Sequence, residues 1–315
     1  MGTKISLETT VTVSSNYTGG VAGEIIGKAF KEADTIAKNL VTVLPDIDFQ
    51  MSLRKISYAD GRVDYTCGFT PTGAVTLSEK LLTPKKIKNE QEICKEDLRQ
   101  IWSSATMGFS AHNDNMPADV EAALLTEILG DTAEATDSDI WNGDASNTGE
   151  FDGFIKAFAA DGNIIKANNG ITTAAAPITK ANVIAEIQKV RAAIPVALRR
   201  KGDLIFAFGP DIANALEDAY IDPTIASGFG AKDQGLSYGS QSFEVINGLP
   251  DNTFVVYQRK NLYFGTGLMS DHNEIRIKDM DDVDLTGQVR YKMVYTAGVQ
   301  YVNSEDIIWY LTTTV

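Results

Sequence analysis

Cysteine and histidine are scarce, with two of each in 315 residues. Cys67 and Cys94 are too few for a disulfide scaffold and have neither a C-x-x-C nor the His spacing of a structural zinc site, so reduced thiols are expected. With only His112 and His272, no G-x-S-x-G and no base beside either cysteine in sequence, a hydrolytic constellation is missing. His112 falls in a polar break and His272 in a turn, where solvent exposure accounts for both. Cys67 on a strand and Cys94 opening a helix read as small buried residues, although a helix N-terminus would lower the Cys94 pKa and keeps a reactive thiol open. No charged segment followed by an apolar core opens the chain, and no apolar run reaches the roughly 18 residues of a membrane span. Neither classical export nor a membrane partner is expected. Basic charge is also short: 28 Lys and Arg against 42 Asp and Glu leave a net charge of -14, which opposes charge-driven binding to nucleic acid or an anionic membrane surface.

What is present is an ordinary globular composition, 43% hydrophobic and 22% charged, in a chain long enough for one large or two modest domains. The charge is uneven. Residues 54 to 99 hold nine basic and seven acidic side chains, whereas 101 to 161 hold twelve acidic ones and a single cation, Lys156. Residues 1 to 48 combine a Ser/Thr/Gly stretch, TTVTVSSNYTGG, with a segment, AGEIIGKAFKEADTIAKNL, whose apolar residues recur at helical spacing through Leu40. This predicts an extended arm and one helix, either loose or ordered on a partner.

From Phe49 the period becomes two. FQMSLRKISY and RVDYTCGF flank Asp60-Gly61, the strongest short hairpin signal, and the alternation persists through TPTGAVTLSEKLLTPKKIKNEQEI. Lys80, Lys85, Lys86 and Lys88 leave that second part little to bury, so it is expected to protrude and, since isolated two-stranded hairpins are marginal, to rest on something else. A short helix over CKEDLRQIW precedes a long one over 117–140, with Pro117 at its first turn, roughly six turns and an acidic outer face that includes Glu121, Asp131 and Glu134. Beyond Gly149 the texture is α/β: a helix over ITKANVIAEIQKVRAAIP, a buried strand DLIFAF, a helix PDIANALEDAY, strands QSFEVI and TFVVYQ around NGLPDN, and NLYFGTG continuing that sheet. GQVRYKMVYTAGVQYV and DIIWYL read as closing strands.

The stretch DIWNGDASNTGEFDGF, 139 to 154, resembles a metal or nucleotide loop because of its acids and glycines. A calcium loop started at Asp137 puts Trp141 and Asn142 where an oxygen ligand and a glycine belong, and one started at Asp282 ends on Met293, so no metal site is assigned. A dinucleotide loop follows a strand, which this stretch does not, and no G-x-x-x-x-G-K-[ST] occurs. No cofactor is expected. The stretch reads as a structural turn: Ile140 and Trp141 anchor the last helical turn, Asn142-Gly143 caps it, and Gly149 to Gly153 redirects the chain, leaving the acids for surface and subunit contact.

Taken with LIFAFGPDIANAL (204 to 216), VINGLPDNTFVVYQRKNLYFGTG (245 to 267) and the closing VRYKMVYTAGVQYVNSEDIIW, this order of elements resembles the major capsid protein of tailed bacteriophages, the Hong Kong 97 fold. The resemblance implies an α+β fold divided into an N-terminal arm and helix (1–48), an E-loop hairpin (49–92), a P-domain with a spine helix (93–159), an α/β A-domain (160–275) and P-domain closing strands (276–315). It implies a non-enzymatic subunit that self-assembles into pentamers and hexamers around double-stranded DNA, without reading sequence. Scaffold, portal and decoration proteins would be its partners, and it would be assembled in the host bacterial cytoplasm. An encapsulin-like shell around protein cargo is the alternative, and an α/β enzyme the distant one. Some relatives carry a cleaved N-terminal scaffold segment, for which no counterpart is expected here. Others cross-link a loop Lys to an Asn, but Lys80 and Asn303 lack an alignable third residue, so no cross-link is expected. Asp60, Gly61 and the four lysines are candidates for contact with a neighbouring subunit, the lysines meeting Glu121, Asp131 or Glu134 there or else staying solvated.

Overall fold

In GQVRYKMVYTAGVQYV, Val289, Tyr291, Met293 and Tyr295 alternate with Arg290 and Lys292, a period that suits a strand with one dry face. The computed structural model describes residues 34–65, 67–68, 72–94, 118–167, 177–199, 203–221, 237–238, 241–267, 275–280 and 287–311, and there this segment is the 14-residue strand β12, Gln288–Tyr301. The four apolar residues are buried and the two cations exposed, as the period requires.

β12 organises a five-stranded sheet. Along one edge it pairs antiparallel with β4, Lys85–Cys94, from Gln288↔Cys94 to Ala297↔Lys85. Its other edge takes β11, Ile275–Asp279, beside residues 289–293 and β10, Leu262–Thr266, beside residues 297–301. β1, Thr42–Leu44, extends β10 in parallel. β4 shows why 85–94 does not protrude with the rest of the basic segment: Ile87 and Ile93 fall on the inner face and are buried, while Lys86 and Lys88 point outward.

A second, six-stranded sheet has the order β5 (Ile165–Lys166), β13 (Ile308–Leu311), β9 (Thr253–Gln258), β6 (Leu204–Phe208), β8 (Gln241–Val245), β7 (Ser237–Tyr238). The run LIFAF is buried on both faces, hence nearly continuous in apolar residues. Phe206, Phe208, Phe254, Val256, Ile308 and Tyr310 pack with α4, Val183–Ala193, and α5, Pro210–Ile221. Ile205, Ala207, Val255, Tyr257 and Trp309 face the opposite way, into a core with α2 (Ala118–Asn142), α3 (Phe154–Ala160) and the inner face of the five-stranded sheet. The result is a mixed α+β fold with α2 and α3 between two sheets.

Two expectations about strand partners are corrected here. NLYFGTG does not continue the sheet of 253–258: a 3₁₀ turn at Arg259–Asn261 breaks the run, and β10 enters the five-stranded sheet. The buried Asn261 side chain holds this crossing, its Oδ1 accepting the Val302 and Asn303 N–H groups and its Nδ2 donating to Asn303 O. Conversely, 276–315 does not close one sheet, because β13 leaves for the six-stranded one, antiparallel to β9. Burial on both faces of that sheet requires an apolar strand, and IWYL is the apolar segment available.

Asp60-Gly61 is not a two-residue hairpin. β2, Met51–Tyr58, pairs antiparallel with β3, Val75–Leu82, in a separate two-stranded ribbon, so RVDYTCGF belongs to the loop between them. Asp60 instead accepts the Arg62 N–H and binds its guanidinium, and Gly61 O accepts the Thr72 hydroxyl, tying the two ends of the loop. Cys67 is therefore exposed and not on a strand, and Cys94 ends β4 where a helix was expected to open. Of the helix expected up to Leu40, the described part is α1, Asp34–Ala37, and Asn39 at φ 52 turns the chain. The arm before Asp34, the helix after Cys94, Pro117, His112, His272 and the second calcium-loop candidate from Asp282 to Thr286 lie outside the described residues.

Candidate functional site

Two places carry the residues singled out from sequence: the exit of α2 and the root of the ribbon. α2 runs through Gly130 and stops at Asn142, two residues beyond the expected end. Trp141 is fully buried against Phe154 and Tyr257, with ring centroids 5.3 and 6.0 Å away, and its indole N–H donates to Thr35 Oγ1 at 2.8 Å. Thr35 in turn donates its backbone N–H to Asp137 Oδ1 at 3.0 Å, so α1 is fastened to α2 twice. Gly143 ends the helix through close approach, its φ not being positive. A Cβ there would stand 2.3 Å from Phe151 O, and one at Gly153 would stand 2.7 Å from Asp139 O. The two glycines let their backbones touch, with Gly153 N–H donating to Gly143 O at 2.9 Å. Gly149, at φ +90, supplies the one left-handed residue of the turn.

The acids of this stretch were expected at the surface for contact with a neighbour, but they are largely engaged within the chain. Asp144 and Asp152 both bind Lys156, and the Lys156 ammonium holds the Asp144 carboxyl at about 2. Glu150 accepts the Asp144 N–H and Asn147 Nδ2. Asp137 is buried, which pushes its pKa up against the opposing hydrogen bonds from Thr35. Asp139 is half-buried, and burial with the neighbouring Glu150 charge pushes it up to about 6, Lys85 opposing. Asn142 is exposed.

At the ribbon, the pairing Ile56↔Leu77 and Tyr58↔Val75 puts four apolar side chains on one face, each between 64% and 71% exposed. Leu81 shares that face. The opposite face carries Leu53, Lys80 and Leu82 at the root; Leu53 and Leu82 bury against Ile47 in a small cluster with Leu44, Tyr263 and Val302 at its edge. Of eleven exposed large apolar side chains among the described residues, nine lie between Phe49 and Leu81, the others being Val43 and Val196. Contiguous exposed apolar surface of this kind is characteristic of a contact surface.

The four lysines do not form one free cluster. Lys80 Nζ binds Asp161 at 3.1 Å and sits 3.4 Å over the Tyr301 ring. Lys85 Nζ donates to Ala145 O at 3.0 Å and Glu150 O at 2.6 Å, stitching the start of β4 to the α2 exit. Lys88 pairs with Glu90 across exposed surface, and Lys86 is exposed. Asp131 and Glu134 are exposed on α2; Glu121 is on the same helix, its side chain outside the described residues. No ion pair joins these lysines to Asp131 or Glu134 among the described residues. Sequence reasoning missed Asp161 and Tyr301, 81 and 221 residues from Lys80, because nothing local marks either as its partner. Among the described residues no group of three or more His, Cys, Asp or Glu could hold a metal ion, and no helix is long and apolar enough to cross a membrane.

No family model and no curated protein sequence matches the chain. Solved structures do. The capsid of a native GTA particle is 12% identical with a TM-score of 0.58, covering 99% of this chain and 95% of that one. The capsid of the cyanophage P-SCSP1u is 13% identical with a TM-score of 0.56, covering 98% and 94%. The fold is that of phage capsid proteins. A virus-like particle from Pyrococcus furiosus shares it at 10% identity and a TM-score of 0.52, covering 92% of this chain and 98% of that one.

Proposed function

We propose that this chain is the major subunit of an icosahedral phage head, a non-enzymatic protein that assembles into pentamers and hexamers and encloses double-stranded DNA. The observation that carries this is the apolar face of the ribbon, Leu81, Leu77 with Ile56 and Val75 with Tyr58, presented on a phage-capsid fold. Those residues gain a dry environment only against another molecule, and in a closed shell every copy supplies the same complementary surface. The ribbon is the E-loop of this reading, α2 its spine helix, the five-stranded sheet its P-domain and the six-stranded sheet with α4 and α5 its A-domain.

Lys86 and Lys88, the outward lysines of β4, then face Glu121, Asp131 or Glu134 of a neighbour, while Lys80 and Lys85 act within the subunit. Net charge of -14 suits a lining that does not grip its DNA and needs no base readout. A portal, a scaffold and decoration proteins complete the assembly, which forms in the host cytoplasm and ends in the virion. Negative-stain microscopy of the purified protein should show closed shells or capsomer rings; a chain that stays monomeric at high concentration sinks this reading. The likeness to the Pyrococcus furiosus particle favours a second reading, a nanocompartment around protein cargo. Shells that purify with a protein inside, and that form in the absence of phage packaging proteins, would support it.

A further inference from the structure

We infer that Lys80 is a positioning residue that latches the ribbon to the body at one angle, and that Asp161 and Tyr301 form its keeper. Among the described residues the other contacts that hold the ribbon lie, like Lys80, at its root. Leu53 and Leu82 bury there, Gln300 Nε2 donates to Leu81 O at 2.9 Å, and Lys55 reaches Glu305 at 4.0 Å in an exposed pair. Lys80 differs from these in kind. Its ammonium is charged, 29% exposed, and fixed from two directions by a carboxylate and a ring face.

The keeper is itself held rigidly. Asp161 follows the last turn of α3, is 17% exposed, and accepts hydrogen bonds from the Tyr301 hydroxyl at 2.9 Å and the Asn163 N–H at 2.9 Å. Burial opposes its charge, but the donors from Asn163, Ser304, Tyr301 and Lys80 together hold its carboxyl well below the usual range, so it stays ionised opposite the lysine. Tyr301 ends β12 and packs edge-on against Phe158 at 5.4 Å, which ties the keeper to the aromatic core. The latch therefore joins the ribbon to α3 and to the five-stranded sheet, two rigid bodies at once. Under the shell reading, on which this consequence rests, the latch aims the apolar face at the neighbouring copy.

The test measures the ribbon angle in the full-length chain, kept dilute and unassembled. Spin labels are placed at Leu77→Cys and Val196→Cys, both exposed positions, in a background of Cys67→Ser and Cys94→Ser. The unmodified latch should give one distance population. Lys80→Ala should raise the fraction outside that population about tenfold, the loss of one charge-assisted hydrogen bond discounted for partial exposure. Asp161→Asn should act in the same direction, and it serves if the alanine variant does not fold. Lys80→Arg should restore the single population, which a merely space-filling role for Lys80 would not require. Distance distributions that superimpose for Lys80→Ala or Asp161→Asn and the parent overturn the latch. Unlabelled chains of the natural sequence that never form shells, while the labelled ones show the latch, refute the shell reading and leave the latch standing.

Discussion

The β2–β3 ribbon and the β4–β12 pair are both antiparallel, both alternate apolar with polar residues, and are separated only by Thr83 and Pro84. Their fates differ. In β4–β12, Ile87, Ile93, Tyr291 and Tyr295 lie under α2, whose Thr132 accepts a hydrogen bond from Asn89 at 3.3 Å. In the ribbon, Ile56, Tyr58, Val75 and Leu77 lie under nothing. The same period thus has two outcomes: it builds a core where α2 covers it, and it leaves an exposed apolar face on the ribbon. An exposed apolar face is costly only until it is covered, at roughly 25 cal/mol for each Å² removed from water.

The contrast breaks most severely at the covered end. Gly143→Val places side-chain atoms where the Phe151 carbonyl already stands, 2.3 Å from a Cβ. The loss should be about 4 kcal/mol or more, read as absence of soluble folded protein or a collapsed thermal midpoint. Trp141→Phe keeps most of the ring but leaves the Thr35 hydroxyl without its donor and opens a small void; about 2 kcal/mol should go, measured by urea unfolding, and α1 should show faster amide exchange.

Asp139 gives a smaller effect of opposite sign. Its folded pKa of about 6 lies above the ordinary 3.8 of an aspartate, so the native state holds the proton more tightly than the unfolded chain does. This group's contribution is therefore most favourable below about pH 4 and is progressively lost as pH rises through 6. Asp139→Asn should raise stability at pH 7 by about 1 kcal/mol, after discounting for its half exposure, and should leave it unchanged at pH 4. Denaturant midpoints across that range decide it, and an equal gain at both pH values would show that charge is not the cause.

The ribbon should respond least in folding and most in assembly. Ile56→Asp with Leu77→Lys, an opposite-charge pair across the ribbon, should shift the unfolding free energy of the isolated subunit by less than about 1 kcal/mol, since neither side chain is covered. Shell formation should be lost, as scored by microscopy or sedimentation. A large folding defect in this variant would mean that the ribbon is covered within its own chain, and the contrast with β4–β12 would fail.

The parts read correctly from sequence are those in which one stretch of chain carries its own answer. The 3.6-residue period located α2 to within two residues at its C-terminal end, and the two-residue period of 288–301 identified the inner face of β12. Glycines at 143, 149 and 153 stand in the turn, where 143 and 153 let backbones touch and only 149 takes a positive φ. Asp60-Gly61 misled because turn propensity is a local preference and the partner of β2 lies beyond the loop, where eight cross-strand pairs from Met51↔Leu82 to Tyr58↔Val75 outweigh it. The lysines misled for a related reason: charge shows on the sequence, but whether a charge is spent depends on Asp161, Ala145 and Glu150, which the fold brings to it.

By itself, then, the amino-acid sequence located the end of α2, the turn that follows it and the apolar face of β12. Only the tertiary structure decided which sheet β10 and β13 join, that Lys80 and Lys85 are held inside the subunit, and that the ribbon's apolar face stays open while that of β4 is closed. Periodicity arises from one side of an element being dry, a condition each segment meets alone. The choice of what makes it dry is settled by contacts between residues tens to hundreds of positions apart, as when α2 closes over β4 and β12.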